Sequence, residues 1–146
     1  MITLNALDLS KDFPRSPRVT LAGYIIAGRT LDKCRAVLAE TPGEYHFDCP
    51  LDQFFLNFVG ISADDFKVFV ATGADDQAVA EWIHTNGAKH SQGARVQWNN
   101  DLRYKRINEM PIELQIFLEG YIAEFIPVDK IVYYWFDVYD IEEKRI

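Results

Sequence analysis

The sequence is poor in cysteine and has no long apolar run. Its two cysteines, Cys34 and Cys49, allow one disulfide among 146 residues, too few for the framework of a small secreted domain, so both thiols are expected to be reduced. The N-terminus carries no basic region followed by an apolar stretch, which argues against a signal peptide. The aromatic stretch 131–136 is far shorter than the roughly 20 residues that span a bilayer. We therefore predict a cytoplasmic protein without a membrane partner.

Signatures of nucleotide binding and of hydrolase chemistry are also missing. The sequence contains no G-x-x-x-x-G-K-[ST], no G-x-G-x-x-G and no G-x-S-x-G. Its cysteines and histidines do not follow the spacing of zinc sites such as C-x-x-C or H-E-x-x-H. We therefore predict no cofactor and no metal, assign no catalytic residue, and favour a protein without enzymatic activity over an enzyme.

Excess negative charge disfavours a role in binding nucleic acid. The formal net charge is −7 and the isoelectric point is near 4.9, whereas nonspecific nucleic-acid binders present a positive face. A short basic and aromatic stretch, 95–106, is interpreted as a solvated helix face or a surface for an acidic partner, so no nucleic-acid partner is predicted. An apolar fraction of 49% supports globular folding, and the length suits a single domain covering 1–146.

Helix signals dominate the chain, and the first of them predicts a long central helix. Ser16 is in the position of an N-cap, with Pro17 at the first helical position, and Thr41-Pro42-Gly43 would end the helix after Glu40. Apolar residues cover most of the circumference of this predicted helix, 16–40. A helix that is apolar nearly all round is expected to be buried.

Three shorter helices are predicted from start signals, apolar stripes and glycine stops. They begin at Asp48-Cys49-Pro50, Ser62 and Asp75, with Asp48 as the N-cap of the first. Two further helices are predicted at 94–105 and 111–125, the second with an apolar stripe formed by Leu114, Phe117, Leu118, Tyr121, Ile122 and Phe125. Residues 130–140 are predicted to be helical, with a strand as the alternative. The fold class is therefore mostly α, in one compact multi-helix domain.

Several runs of the sequence resemble a known family. They are DLSKDFPRSPR at 8–18, LDKCRAVLA at 31–39 and GEYHFDCPLDQFF at 43–55, with Gly60-Ile61 and Trp98-Asn99 following in order. Together these runs are similar to the family catalogued as domain of unknown function 5069. The resemblance implies a bacterial, cytosolic protein, and it brings no catalytic residues to carry over.

Charged residues on the predicted central helix are the first candidate site. Arg29, Asp32 and Lys33 share one face of that helix with small and apolar residues. An arginine there would form two parallel hydrogen bonds to a carboxylate or phosphate of an anionic ligand, and Asp32 would orient the arginine. The alternative, which we favour, is an internal ion pair that fixes packing. The ligand-binding hypothesis comprises Arg29, Asp32, Lys33, Tyr45, His46 and Asp52.

The segment around Cys49 admits a second chemistry. A cysteine near a helix N-terminus is a possible nucleophile, and His46 would be its base. Asp48 and Asp52 oppose a thiolate there, so we interpret Cys49 as a packing residue and Asp52 as an acid in the first helical turn. The preceding run 13–18 is interpreted as a rigid connector with a solvated turn, although its arginines would also suit an anion.

The C-terminal aromatics suggest a protein partner. Five aromatic residues between 133 and 139 cannot all face one core from a single helix, and exposed aromatics are typical of interfaces. We therefore predict a homo-oligomer, most simply a symmetric dimer, formed through these residues. The leading functional hypothesis is a homodimeric helical interaction module. The alternative is a binding protein or enzyme for an anionic small molecule, with its site at Arg29, Lys33, Tyr45, His46 and Asp52.

Overall fold

Helices account for the regular secondary structure of this chain. The computed structural model describes residues 5–146, and within that range it contains seven α-helices, one 3-10 turn and no strand. The mostly-α prediction is therefore confirmed. In chain order the elements are α1 (Ala27–Leu38), α2 (Pro50–Val59), α3 (Ala63–Val70), α4 (Asp76–Asn86), α5 (Gln92–Arg103), the 3-10 turn η1 (Ile107–Glu109), α6 (Ile112–Phe125) and α7 (Trp135–Glu142).

The chain divides into two compact units. The first ends at Gln92 and contains α1 to α4, and the second begins at Gly93 and contains most of α5 together with α6 and α7. The single domain expected from the sequence stays a prediction. No helix among the described residues is long and apolar enough to cross a membrane.

The central helix is buried as predicted, but it begins eleven residues later than Ser16. All ten residues from Ala27 to Ala36 are buried. Before them, Leu21 and Tyr24 exchange two backbone hydrogen bonds of 2.9 Å, and Gly23 and Ile26 have left-handed φ values of 83° and 71°. A right-handed helix cannot pass through such residues, so the predicted start at Ser16 is wrong.

Local signals place the next three helices correctly. Ser62 accepts a hydrogen bond from the backbone N–H of Asp65, and Asp75 accepts one from that of Ala78, so both act as N-caps. Gly60 ends α2 in the left-handed conformation. One prediction is wrong: Cys49 rather than Asp48 is the N-cap of α2, because Asp48 has a φ of 67° and lies one residue further out.

The C-terminal segment forms a helix, as the sequence favoured, and not a strand, but the helix covers 135–142 and residues 130–134 lie outside it. The carboxylate of Asp137 accepts hydrogen bonds of 2.9 Å from the backbone N–H groups of Tyr133 and Tyr134, which fixes the start of α7. α7 contributes to a small apolar core in the second unit, formed by Ile126, Val138 and Ile141 with the partly buried Ile107, Tyr121, Ile122 and Val132. The aromatics Trp135 and Phe136 are buried within the chain.

The stripe predicted for the helix at 111–125 is only partly inward. In α6, Leu118 is buried, whereas Phe117 and Phe125 are 61% and 48% exposed. The second unit is small, and its core accommodates one narrow face of this helix. Much of the apolar surface of α6 therefore faces solvent.

Candidate functional site

Four charged side chains of α1 are buried, although charged groups are usually exposed. They are Arg29, Asp32, Lys33 and Arg35. A buried charge costs several kcal/mol unless it is paired and hydrogen-bonded, so the partners of these groups decide what the cluster does.

Lys33 has a buried carboxylate as its partner. Its Nζ lies 3.0 Å from Oδ1 of Asp52, in the first turn of α2. The same carboxylate accepts a 2.7 Å hydrogen bond from the hydroxyl of Thr30 and a 2.9 Å hydrogen bond from the backbone N–H of Asp48. Asp52 therefore has three donors within the chain and joins α1 to the start of α2.

A second network connects α1 to the N-terminal segment and to α4. Arg15 donates to both carboxylate oxygens of Asp32, at 3.0 and 3.1 Å, and donates a third bond of 2.9 Å to Asp76. Its backbone N–H also donates to Asp32, at 2.8 Å. Arg35 donates to the other oxygen of Asp76 at 2.8 Å and to the carbonyl of Ala74 at 2.9 Å. Asp76 is thus held between two guanidinium groups.

These contacts shift two pKa values. Partial burial alone would raise the pKa of Asp76, but the hydrogen bonds from Arg35 and Arg15 outweigh it and hold that pKa below its ordinary value of 3.8. Burial likewise would lower the pKa of Arg15, but the hydrogen bonds and charges of Asp32 and Asp76 outweigh it and hold that pKa above its ordinary value. Both shifts favour the charged forms, which is the behaviour of a paired network.

Arg29 contacts the N-terminal segment and Tyr45. Its Nη1 donates a 3.2 Å hydrogen bond to the carbonyl of Arg15, and its guanidinium carbon lies 5.5 Å from the ring centre of Tyr45. Tyr45 is half-buried, and His46 is exposed. Among the predicted ligand residues, Arg29 contacts Tyr45 and shares Arg15 as a partner with Asp32, and Lys33 is paired with Asp52, while His46 lies at the surface.

Sequence reasoning missed several members of the cluster. Arg15 was placed in a solvated turn, which is wrong, because its side chain bridges Asp32 and Asp76. Thr30 and Asp76 carried no distinguishing signal, since Asp76 reads as an ordinary acid at a helix start. A pairing across 61 residues has no periodicity that a single sequence could reveal.

The two cysteines have different surroundings. Neither forms a disulfide. Cys34 is fully buried on α1, and this burial raises the pKa of its thiol to about 12, so it remains protonated. Cys49 is half-buried at the start of α2, and its sulfur lies 3.1 Å from Nζ of Lys33.

Two shallow clefts lie away from the predicted ligand residues. One, of about 440 Å³, is in the first unit beside Phe69 and Trp82. The other, of about 460 Å³, is in the second unit, where Arg106 and Lys130 contribute to its walls. In the described part of the chain, no three His, Cys, Asp or Glu residues are grouped so that they could hold a metal ion.

An apolar face on α6 is a second candidate site. Among the described residues, fourteen large apolar side chains are more than a third exposed, and ten of them belong to the second, shorter unit. At about 100° per residue, Ile112, Ile116, Gly120 and Ala123 fall within an arc of about 80°, on the side of α6 opposite the buried Leu118. All four are exposed, and we call this set the α6 outward face.

Comparison with known proteins identifies a family but no activity. None of the curated proteins compared with this sequence matches it. The model of a family described as "Domain of unknown function (DUF5069)" matches residues 11–145, which is nearly the whole chain and agrees with the resemblance noted in the sequence. The chain therefore belongs to the DUF5069 family.

Proposed function

We propose that this protein is a helical interaction module that forms a homodimer through the α6 outward face. The observation that carries the proposal is the exposure of large apolar side chains there, since Ile112 and Ile116 are 59% and 68% exposed. Water-exposed apolar surface on one side of a helix is the feature that a partner surface covers. The sequence places the partner surface among the C-terminal aromatics. Of these, Trp135 and Phe136 are buried, Tyr134 and Tyr139 are partly buried, and Tyr133 is 60% exposed, so we propose the more continuous exposed surface of α6 instead.

The shape of the α6 outward face supports a second copy as the partner. Its N-terminal half carries two bulky residues, Ile112 and Ile116, and its C-terminal half carries two small ones, Gly120 and Ala123. A two-fold interface brings the same patch of both copies together, so residue i meets residue j and j meets i. If two α6 helices pack antiparallel, Ile116 faces Gly120 of the other copy and Ile112 faces Ala123.

Gly120 is the residue that this arrangement explains best. A methyl group added to it would meet no atom of the chain within 4 Å, so nothing inside the chain requires a glycine there. A glycine within a helix destabilises it by about 1 kcal/mol relative to alanine. In the antiparallel pair its missing side chain leaves room for Ile116 of the other copy.

The available area is consistent with a modest dimer. Ile112 and Ile116, together with Phe117 beside the α6 outward face, expose on the order of 400 Å² of apolar surface, within the range of the largest patches on typical monomers. When the surrounding polar residues are included, the total area buried on the two copies approaches the roughly 1,200 Å² of the smaller specific interfaces. We expect a dissociation constant in the micromolar range.

Light scattering during size-exclusion chromatography tests the proposal. The wild-type chain at about 0.1 mM is expected to be a dimer, and Ile116→Glu a monomer, because a buried unpaired carboxylate costs several kcal/mol. Val68→Glu is the matched control, since Val68 is 70% exposed on α3 in the first unit. It is expected to remain dimeric. A monomeric wild-type chain, or a dimeric Ile116→Glu that is still folded by circular dichroism, would contradict the proposal.

We further propose that the protein works in the bacterial cytoplasm. Support comes from the thiols, because Cys34 and Cys49 are free, as is usual in a reducing compartment. The family resemblance is the support for a bacterial source. Detection of the native chain in a cytoplasmic fraction with both thiols reduced tests this, and recovery from the periplasm or the medium would contradict it.

The alternative function is binding of an anionic small molecule at Arg29, Lys33, Tyr45, His46 and Asp52. The closeness of Arg29 to the half-buried Tyr45, next to the exposed His46, is the observation in its favour. The partners of Lys33 and Asp52 within the chain count against it. Thermal shift with inorganic phosphate is the test: a rise in Tm for the wild type that Arg29→Ala abolishes would support the alternative, and no rise would leave the cluster with a structural role.

A further inference from the structure

Lys33 and Cys49 form an unusual contact between two potentially reactive side chains. Nζ of Lys33, on α1, lies 3.1 Å from Sγ of Cys49, at the start of α2. The lysine side chain is 4% exposed and is held on its other side by Oδ1 of Asp52 at 3.0 Å. The buried Asp52 carboxylate therefore holds the Lys33 nitrogen close to the Cys49 sulfur.

The two cysteines of the chain differ in their access to a small oxidant. Cys49 is half-buried, whereas Cys34 is fully buried within α1. Hydrogen peroxide oxidises accessible cysteines to sulfenic acids, which then condense with a thiol or with a backbone nitrogen. The nitrogen adjoining the Cys49 sulfur is the amine of Lys33.

We propose that peroxide converts the Lys33–Cys49 contact into a covalent sulfur–nitrogen bond. In the first step the Cys49 sulfur forms a bond to one peroxide oxygen, the O–O bond breaks, and the departing hydroxide leaves as water with the thiol proton. Sulfur is oxidised by two electrons, and the peroxide is reduced by the same two. Cys49 is then a sulfenic acid.

In the second step Nζ of Lys33 forms a bond to sulfur while the S–O bond breaks. The ammonium loses two protons in this step. One leaves with the hydroxyl group as a second water molecule, and the other passes to Oδ1 of Asp52, 3.0 Å away. The buried ion pair is thereby replaced by a neutral carboxyl group and a neutral S–N link, so no unpaired charge remains in the core. The link would fasten α1 to the N-terminus of α2.

Mass spectrometry of the folded chain after treatment with hydrogen peroxide tests the proposal. The modified wild-type protein is expected to lose the mass of two hydrogen atoms, and a thiol reductant is expected to restore it. A Cys34–Cys49 disulfide would give the same mass change. Digestion with trypsin under non-reducing conditions distinguishes the two products. The S–N link blocks cleavage after Lys33, whereas a disulfide leaves Lys33 free to be cleaved.

Two variants serve as controls. Cys34→Ser keeps the Lys33–Cys49 contact and cannot form a disulfide within the chain, so it is expected to lose the same mass. Lys33→Arg is expected to stop at a sulfenic acid that dimedone traps. The proposal is overturned if the loss disappears in Cys34→Ser, or if Cys49 is oxidised to sulfinic or sulfonic acid while Lys33 remains cleavable. If either variant fails to fold, the tryptic map of the wild-type chain decides alone.

Discussion

Lys33 and Asp52 form a buried ion pair across two helices. Their Nζ and Oδ1 atoms are 3.0 Å apart, and the two side chains are 4% and 0% exposed. With Thr30 and the backbone N–H of Asp48 as further donors, the carboxylate is surrounded by hydrogen bonds. The pair therefore links α1 to the first turn of α2.

Removing one member of this pair is expected to be costly. Asp52→Ala leaves the Lys33 ammonium buried without its carboxylate and should lower the free energy of unfolding by about 3–5 kcal/mol. Urea denaturation measures the change. The double variant Lys33→Met/Asp52→Leu removes both charges and should recover most of the loss. A loss below about 1 kcal/mol in Asp52→Ala would mean that Lys33 reaches solvent and that the pair is not a structural anchor.

Acid should weaken the second network through Asp76. Because its pKa in the folded chain is below 3.8, the charged carboxylate contributes stability that is complete above the unfolded value. That contribution is lost as the pH falls from about 4 through the folded pKa. In Asp76→Asn, Tm should fall less steeply than in the wild type as the pH falls across this range. At neutral pH the variant should have a free energy of unfolding lower by about 1 kcal/mol, a small loss because Asp76 is half-exposed. Parallel Tm profiles of the two proteins would contradict this.

Elements with local signals were predictable from the sequence, and those that depend on distant contacts were not. Ser62, Asp75 and Gly60 act within one turn of their own helices, so α2, α3 and α4 were found nearly at their observed bounds. The start of α1 was missed because Ile26 adopts a left-handed φ, which its residue type does not announce.

The candidate sites show the same limit. Helical spacing showed the charged face of α1 but not its partners. Arg15, the partner of Asp32, lies 17 residues before it, and Asp76, the second partner of Arg15, lies 61 residues after Arg15. For α6 the apolar spacing predicted a helix, but it did not predict which residues of the apolar stripe are buried. How much of the stripe is covered depends on the size of the core around Val138 and Ile141.

Gly120→Ala is expected to act in opposite directions on folding and on association. The methyl group meets nothing within the chain, so helix propensity should raise stability by up to about 1 kcal/mol in dilute, monomeric protein. In the dimer it would occupy the space of Ile116 from the other copy and weaken association about tenfold or more. Gly93→Ala in α5 is the control, since Gly93 also has open space around it. An unchanged dissociation constant in Gly120→Ala would exclude close approach at this residue.

Salt should strengthen the dimer. Glu113, Glu119 and Glu124 border the α6 outward face, and α6 itself has no lysine or arginine. In a two-fold pair these carboxylates face those of the other copy, and like charges repel at low ionic strength. Sedimentation equilibrium at about 0.05 M and about 0.5 M sodium chloride should give a lower dissociation constant at the higher concentration. Weaker association in high salt would indicate an interface that depends on attraction between opposite charges.

Disulfide trapping of the α6 pair tests the central proposal most directly. Two variants, Ile116→Cys and Gly120→Cys, are each prepared in a Cys49→Ser background, then mixed and oxidised. Cys34 is left in place because it is buried. The antiparallel dimer predicts that the mixed 116–120 disulfide exceeds the 116–116 and 120–120 products. A 116–116 product in excess would contradict the antiparallel arrangement, and the absence of any intermolecular disulfide would contradict the dimer.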